Sequence, residues 1–228
     1  MLIALDPGHG GRDPGAVGNG LMEKDITLKL ALRAGTYLRT HYDCDVMYTR
    51  NSDVYLSPSE RANIVNKIKA DYFCSFHINS FTAATAKGFE TFRYANTKNE
   101  KSIKLQRNVH EEVMKVLRAN GIVDRGMKAA NFVVLRETNM PAVLTETLFI
   151  SNPNEAKLIK SDDFIEKVAI AHAKGIAAAA GLKRKANPNQ SGNKHYLMTG
   201  TFNSKAEAES HAEKLRKQYG WLIYVKES

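Results

Sequence analysis

The chain has 228 residues, about one and a half average domains, with 43% hydrophobic and 25% charged residues, a balance that excludes a disordered tail, a collagen-like repeat and a small disulfide scaffold. No stretch approaches 18 uninterrupted apolar residues, which excludes a helical membrane span, and two cysteines, Cys44 and Cys74, are too few for a disulfide framework and suit a reducing place of synthesis. Thirty-three Lys and Arg against 24 acidic residues give a net charge of +9; this favours nucleic acid, an anionic membrane surface or a wall rich in anionic polymer, without choosing among them or against a merely soluble basic protein.

Residues 2–5 predict a buried strand stopped by Asp6-Pro7-Gly8. The start has no basic lead-in and no small-residue cleavage site, so no secretory signal is expected. Residues 24–40, with Ile26, Leu28, Leu30, Leu32 and Leu38 among polar residues, predict a helix packed on one side. A second strand is expected at 45–49 and a second helix at 57–69, with Pro58 in its first turn. Strands at 72–78 and 88–94 follow, then a long helix at 100–119 ended by Asn120-Gly121. Two further strands are read at 132–135 and 142–147. An Ala-rich helix at 162–180, with Gly181 as its stop, closes the unit. Strands alternating with helices imply an α/β fold, a mostly parallel central sheet flanked by helices on both faces.

Beyond that unit, residues 182–194 are polar, contain Pro and Gly and lack periodicity, which reads as a linker. Residues 195–228 pattern as strand (196–201), helix (205–219) and strand (221–225). So short a βαβ-like segment buries little core alone and is expected to need a partner surface, either the main domain or its copy in a second chain.

The first predicted strand empties into Asp6-Pro7-Gly8-His9-Gly10-Gly11-Arg12-Asp13-Pro14-Gly15, whose glycines free the backbone for turns and close approach to a ligand. A phosphate cradle and a metal loop with His9 as ligand both suit such a run. Against the cradle, there is neither a Gly-Lys-Ser/Thr ending nor a spaced Gly-x-Gly-x-x-Gly. Glu23 precedes the first helix, where a carboxylate favoured by the helix dipole is the plain alternative to a ligand. His77 ends the third strand, where a hydrogen-bonded core histidine is the alternative.

In a parallel sheet functional groups gather past the carboxyl ends of the strands, so His9, His77 and Glu23 can reach one crevice. Two imidazoles and a carboxylate, with a fourth position left for water, are the ligand set of a catalytic zinc site. Cys74 is a poor substitute, since positions 74 and 77 face opposite sides of a strand. Glu146 sits in an otherwise uncharged run, residues 141–153, on the same rim. A buried acid there is either paired, for instance with Arg136, or the proton carrier a zinc hydrolase needs.

With these residues in place, the chain resembles the zinc-dependent type 3 N-acetylmuramoyl-L-alanine amidases, which cleave peptidoglycan. The matching segments run from Ile3-Ala-Leu-Asp-Pro-Gly-His-Gly-Gly-Arg-Asp-Pro-Gly-Ala16 and Glu23-Lys24 through Thr49-Arg50-Asn-Ser-Asp53, residues 56–62 with Arg61, and Ser75-Phe-His-Ile-Asn79. They continue with Gly88-Phe-Glu90, Arg125-Gly-Met-Lys128, Asn131-Phe-Val-Val-Leu-Arg136 and residues 141–152. The resemblance covers residues 1–181 and implies one Zn2+ per chain held by His9, Glu23 and His77, with Glu146 as the catalytic glutamate. It implies hydrolysis of the amide between the lactyl group of N-acetylmuramic acid and L-alanine of the stem peptide, and so lysis of the wall. Some relatives place a regulatory helix after the second histidine; residues 80–87 are too few for one, which implies a constitutively open site.

The tail, with Tyr196-Leu-Met-Thr-Gly-Thr-Phe202 and Ser204-Lys-Ala-Glu-Ala208, is similar to one repeat of a sporulation-related (SPOR-type) wall-binding module, of which two are usually joined. The expected domains are therefore a catalytic domain at 1–181, a linker at 182–194 and a half module at 195–228, which pairs in a homodimer or packs on the catalytic domain. The expected partners are peptidoglycan and anionic wall polymers, without nucleic acid or membrane insertion. A protein made in the cytoplasm without a signal would reach the wall after holin action or mother-cell lysis. A zinc peptidase cutting within stem peptides and a non-catalytic wall-binding protein are the alternatives.

Overall fold

The computed structural model of the protein describes residues 1–185 and 204–219, and the chain divides into two units, Met1–Lys185 and Ala186–Ser228. The first unit is built on a six-stranded sheet. Its strands are β1 (Leu2–Pro7), β4 (Asp45–Tyr48), β5 (Tyr72–Asn79), β6 (Phe89–Tyr94), β7 (Asp124–Ala130) and β8 (Ala142–Phe149), in the order β4-β1-β5-β8-β6-β7. β4, β1, β5 and β8 run parallel; β6 is antiparallel to β8, and β7 follows β6 in parallel. The short strands β2 (Val17–Gly18) and β3 (Leu21–Met22) form a separate hairpin. The mostly parallel α/β architecture is the one expected.

Alternation along the strands sorts apolar residues onto two faces. Ile3, Leu5, Cys74, Phe76, Ile78 and Val143 point into the larger core, under α1 (Glu23–His41), α3 (Glu100–Arg118) and α6 (Asp162–Ala180). Ala4, Phe73, Ala142 and Leu144 meet Val65 of α2 (Pro58–Lys67) and Val134 and Leu135 of α4 (Val133–Arg136) on the other face. Local chemistry sets the helix ends. Ser57 and Glu60 close a capping box on α2. Ser161 caps α6, and Gly181 stops it at a left-handed φ of 66°. α1 has no side-chain cap; the N–H groups of Glu23 and Lys24 donate instead to the carbonyls of Ala16 and Pro14. The loop after β1 thus closes the helix that carries Glu23.

Residues 132–135, expected as a strand, lie mostly in the short helix α4. The strand beside β6 is β7, a polar and largely exposed edge without alternation. Helix α5 (Pro153–Lys160), capped by Asn152, also went unpredicted. Residues 182–185, at the start of the stretch read as linker, are tied to the first unit: Lys183 O accepts from Asp43 N and Lys185 N donates to His41 O, both at 2.9 Å. In the second unit, helix α7 (Lys205–Tyr219) lies where a helix was expected, with Ala208 and Ala212 buried. The strands expected at 196–201 and 221–225, and residues 186–194, lie outside the described residues. No described helix is long and apolar enough to cross a membrane.

Candidate metal centre

The backbone of β1 runs on into Gly8, whose N–H donates to Phe76 O on β5. A Cβ on Gly8 would come within 2.4–2.8 Å of the His77 ring, so this position has room for glycine alone. His9 follows at φ 61°, a left-handed conformation that costs a non-glycine residue energy unless its surroundings hold it. Two arginines hold it. Arg61 donates to the carbonyls of Pro7 (2.5 Å) and His9 (2.6 Å), and Arg50 to those of Pro7 (3.0 Å) and Gly8 (2.9 Å).

Arg61 also pairs at 2.8 Å with Asp6, which is wholly buried and accepts from Ser75 and Thr49. Burial pushes the Asp6 carboxyl up, but the Arg61 charge and these hydrogen bonds outweigh it and keep it ionised below the usual range. The loop that carries His9 therefore rests on a buried ion pair.

His9, Glu23 and His77 converge as the sequence predicts. Glu23 Oε1 lies 3.1 Å from His9 Nε2 and 3.0 Å from His77 Nδ1. One ligand atom from each of the three residues lies within 4.8 Å of the others. Glu23 is 4% exposed; its Oε1 also accepts from Ile78 N and its Oε2 from Ala16 N. Asp13 Oδ2 sits 2.9 Å from His9 Nδ1 and orients the ring, as outer carboxylates do for metal-bound histidines.

Burial alone would depress the His9 imidazole, but hydrogen bonds and charge from Glu23 and Asp13 raise it to about 9. His77 moves up against its own burial, through Glu23. Glu23, although desolvated, is held far below the usual carboxylate range by the two imidazoles. A carboxylate this tightly held between two imidazoles is a site for concentrated positive charge, and two nitrogens plus one oxygen are the donors zinc takes.

Glu146 lies on β8 directly opposite His77 on β5 and opposite Glu90 on β6. Its Oε2 is buried and has no hydrogen-bond partner. Burial raises the carboxyl to about 7; the charges of Glu23 and Glu90 add to this and those of His77 and His9 oppose it. Pairing with Arg136 does not occur, since Arg136 donates to Asn131 and Glu137. A carboxyl that titrates near neutrality beside a ligand triad can both take and return a proton. Cys74 points into the larger core, on the face away from His77, and burial pushes its thiol well up. Residues 80–87 contain no helix.

Sequence reasoning gave no role to Arg50, Arg61 or Asp13, nor to Glu90, which lies opposite Glu146, and Asn79, Arg125 and Lys128, which donate to Glu90. Their only sequence signal was position, just past the ends of predicted strands or within the segments of the family resemblance.

The family model for N-acetylmuramoyl-L-alanine amidase matches residues 3–178. The endolysin of Bacillus phage SPP1 is 48% identical over 185 residues, 81% of this chain and 68% of that protein. The sporulation-specific N-acetylmuramoyl-L-alanine amidase of Bacillus subtilis (strain 168) is 39% identical over 229 residues, 100% of this chain and 86% of that protein. Among solved structures, the catalytic domain of CwlV, an N-acetylmuramoyl-L-alanine amidase from Bacillus (Paenibacillus) polymyxa var. colistinus, superposes with a TM-score of 0.74 at 33% identity. It covers 80% of this chain and 99% of that one.

Proposed function

The chain belongs to the N-acetylmuramoyl-L-alanine amidase family, and from that premise we infer that it is a zinc-dependent amidase of bacterial peptidoglycan. The bond cut is the amide joining the lactyl group of N-acetylmuramic acid to L-alanine of the stem peptide, and cutting it lyses the wall. The observation that carries this reading is the unpartnered, nearly neutral carboxyl of Glu146 beside the convergent His9, Glu23 and His77.

His9, Glu23 and His77 would hold the ion, which when bound lowers the pKa of a water and polarises the substrate carbonyl. Asp13 keeps the His9 ring turned toward the site, and Arg50 and Arg61 hold the loop that carries it. Glu146 accepts the proton of the attacking water and passes it to the departing alanine nitrogen. Its carboxyl, raised to about 7, is near the optimum for both transfers at neutral pH.

The closing experiment measures new amino termini released from purified wall. Glu146→Gln should keep its metal after dialysis and lose activity by about 10²- to 10⁴-fold. His9→Ala and His77→Ala should lose the metal itself. Near-normal turnover by Glu146→Gln would overturn the role of Glu146. Mass spectrometry of the digest separates the chemistry: free stem peptides beginning with alanine support the amidase, internal peptide fragments a peptidase, and no products a wall-binding protein.

We assign catalysis to residues 1–181, of which the family model matches 3–178, and attachment to the wall to residues 195–228, on their similarity to one repeat of a SPOR-type module. The family includes a phage endolysin and a sporulation-specific enzyme, which suits action at the wall after holin release or mother-cell lysis. A homodimer through the tail, gripping glycan or anionic polymer, predicts twice the chain mass by light scattering; a monomer mass removes it.

A further inference from the structure

The floor of the site does not end at Glu146. His77, Glu146 and Glu90 lie opposite one another on β5, β8 and β6, and all point to the face that carries α2 and α4. Two carboxylates side by side on neighbouring strands repel. Glu90, 5% exposed, is neutralised by Arg125 Nε at 3.1 Å and by the Lys128 ammonium, both from β7, while Asn79 Nδ2 donates to its other oxygen at 2.7 Å. One acid thus meets two cations, and the group keeps an excess positive charge. Arg125 is 35% exposed and Lys128 41%. Arg125 also makes a long 3.4 Å bond to Lys87 O, and the Lys128 ammonium lies 5.9 Å from the centroid of the Phe92 ring. The Phe149 ring, with the Arg125 guanidinium 4.9 Å from its centroid, fixes that side chain further.

We propose that Arg125 and Lys128, aligned by Glu90, form a carboxylate-binding subsite for the stem peptide, at the residue after the alanine. This rests on the reading of the site as a peptidoglycan amidase. In the stem that residue is a glutamate joined through its side-chain carboxyl, so its α-carboxyl hangs free, either ionised or amidated. At full extension that group lies roughly 7 Å from the scissile carbon. Glu90 is one strand spacing, about 4.8 Å, from Glu146, and the two cations lie a hydrogen bond further on. That reach is of the same order as the separation between Glu146 and the two cations, and no other pair of half-exposed cations among the described residues shares a buried carboxylate on this floor.

The test measures binding, so it does not depend on cleavage. Calorimetry on Glu146→Gln protein compares the product tripeptide beginning with alanine, its second residue carrying a free carboxylate, with the same peptide as the α-amide. The free acid should bind about tenfold more tightly. With Arg125→Gln and Lys128→Gln added, the ratio should fall toward one, and Arg125→Lys should restore part of it. A general loss of structure would weaken the α-amide peptide as well, so the affinity for that peptide, expected to stay as it is in the Glu146→Gln protein, separates loss of the subsite from misfolding. A ratio of one in the starting protein, no binding of either peptide, or a ratio that survives the double change would each overturn the subsite. Binding selectivity without cleavage of wall by the unmutated enzyme would instead overturn the amidase reading alone.

Discussion

His172 shows how one buried side chain shapes the response to acid. It is fully buried on α6, with Nδ1 2.9 Å from Val168 O and Nε2 3.1 Å from Thr145 Oγ1. A carbonyl only accepts, so the proton sits on Nδ1 and the ring is neutral. Burial holds its pKa down to about 4, and the bond to Val168 opposes this only in part. Above pH 6.5 the ring is neutral in both folded and unfolded chains and favours neither. Below 6.5 the unfolded chain takes up a proton that the folded one refuses until about pH 4. Stability therefore falls across that window, by up to roughly 3 kcal/mol in all. Urea unfolding from pH 7 to 4 should show a shallower fall for His172→Gln than for the unchanged protein, and parallel curves would refute the argument. His9 and His77 were legible in the sequence as candidates because they lie at the ends of predicted strands, Glu23 because it precedes a predicted helix, and Glu146 because it interrupts an uncharged run. Arg50 and Arg61 were not, because they donate to main-chain carbonyls of residues 7–9, more than 40 positions away.

At the scale of elements, legibility followed periodicity. Helices α1, α3 and α6 and strands β1, β5 and β8 carry apolar residues at the spacing that their packing requires. The run Phe132-Val-Val-Leu135 reads as a strand by composition, yet four residues cannot separate strand from helix by period. In the fold Val134 and Leu135 are adjacent and both buried, as in a helical turn. β7 pairs on one side with β6, and its exposed Asp-Arg-Gly-Met-Lys-Ala-Ala sequence has no apolar face to betray it.

The packing of α6 on α3 raises a conflict that magnitudes settle. Propensity predicts that Gly175→Ala in the middle of α6 gains about 0.8–1.0 kcal/mol. A Cβ there would lie 2.5 Å from Val109 Cα and 2.8 Å from Asn108 O, both backbone atoms of α3 that cannot turn aside. Overpacking of that kind costs roughly 1–3 kcal/mol, so the substitution should be neutral at best and on balance destabilising. A thermal melt of Gly175→Ala is expected below that of the unchanged protein, and a rise in the midpoint would show that the two helices separate easily.

For the whole molecule, the first unit is a complete sheet with two covered faces, and its last four residues belong to it. Leu182 N donates to Ala177 O, Asp43 N to Lys183 O and Lys185 N to His41 O; the Lys185 ammonium reaches Arg39 O at 2.7 Å, and the Arg184 guanidinium lies 5.8 Å from the centroid of the Tyr42 ring. In sequence the same residues are Leu-Lys-Arg-Lys after a glycine stop and read as the start of a linker, since their partners are mainly backbone atoms about 140 positions back.

Two truncations test this. A chain ending at Lys185 should fold and melt cooperatively. One ending at Gly181 loses the two strand-like backbone bonds to residues 41 and 43. At about 1 kcal/mol for each net hydrogen bond, its melting point should fall by roughly 4–8 °C. Both should still cleave a soluble muropeptide, because His9, Glu23, His77 and Glu146 all lie within the retained residues. Both should also sediment with intact wall less than the full chain does, as the wall-binding assignment of the tail requires. Equal melting points would show that residues 182–185 contribute nothing, and undiminished sedimentation would return wall binding to the basic surface of the first unit.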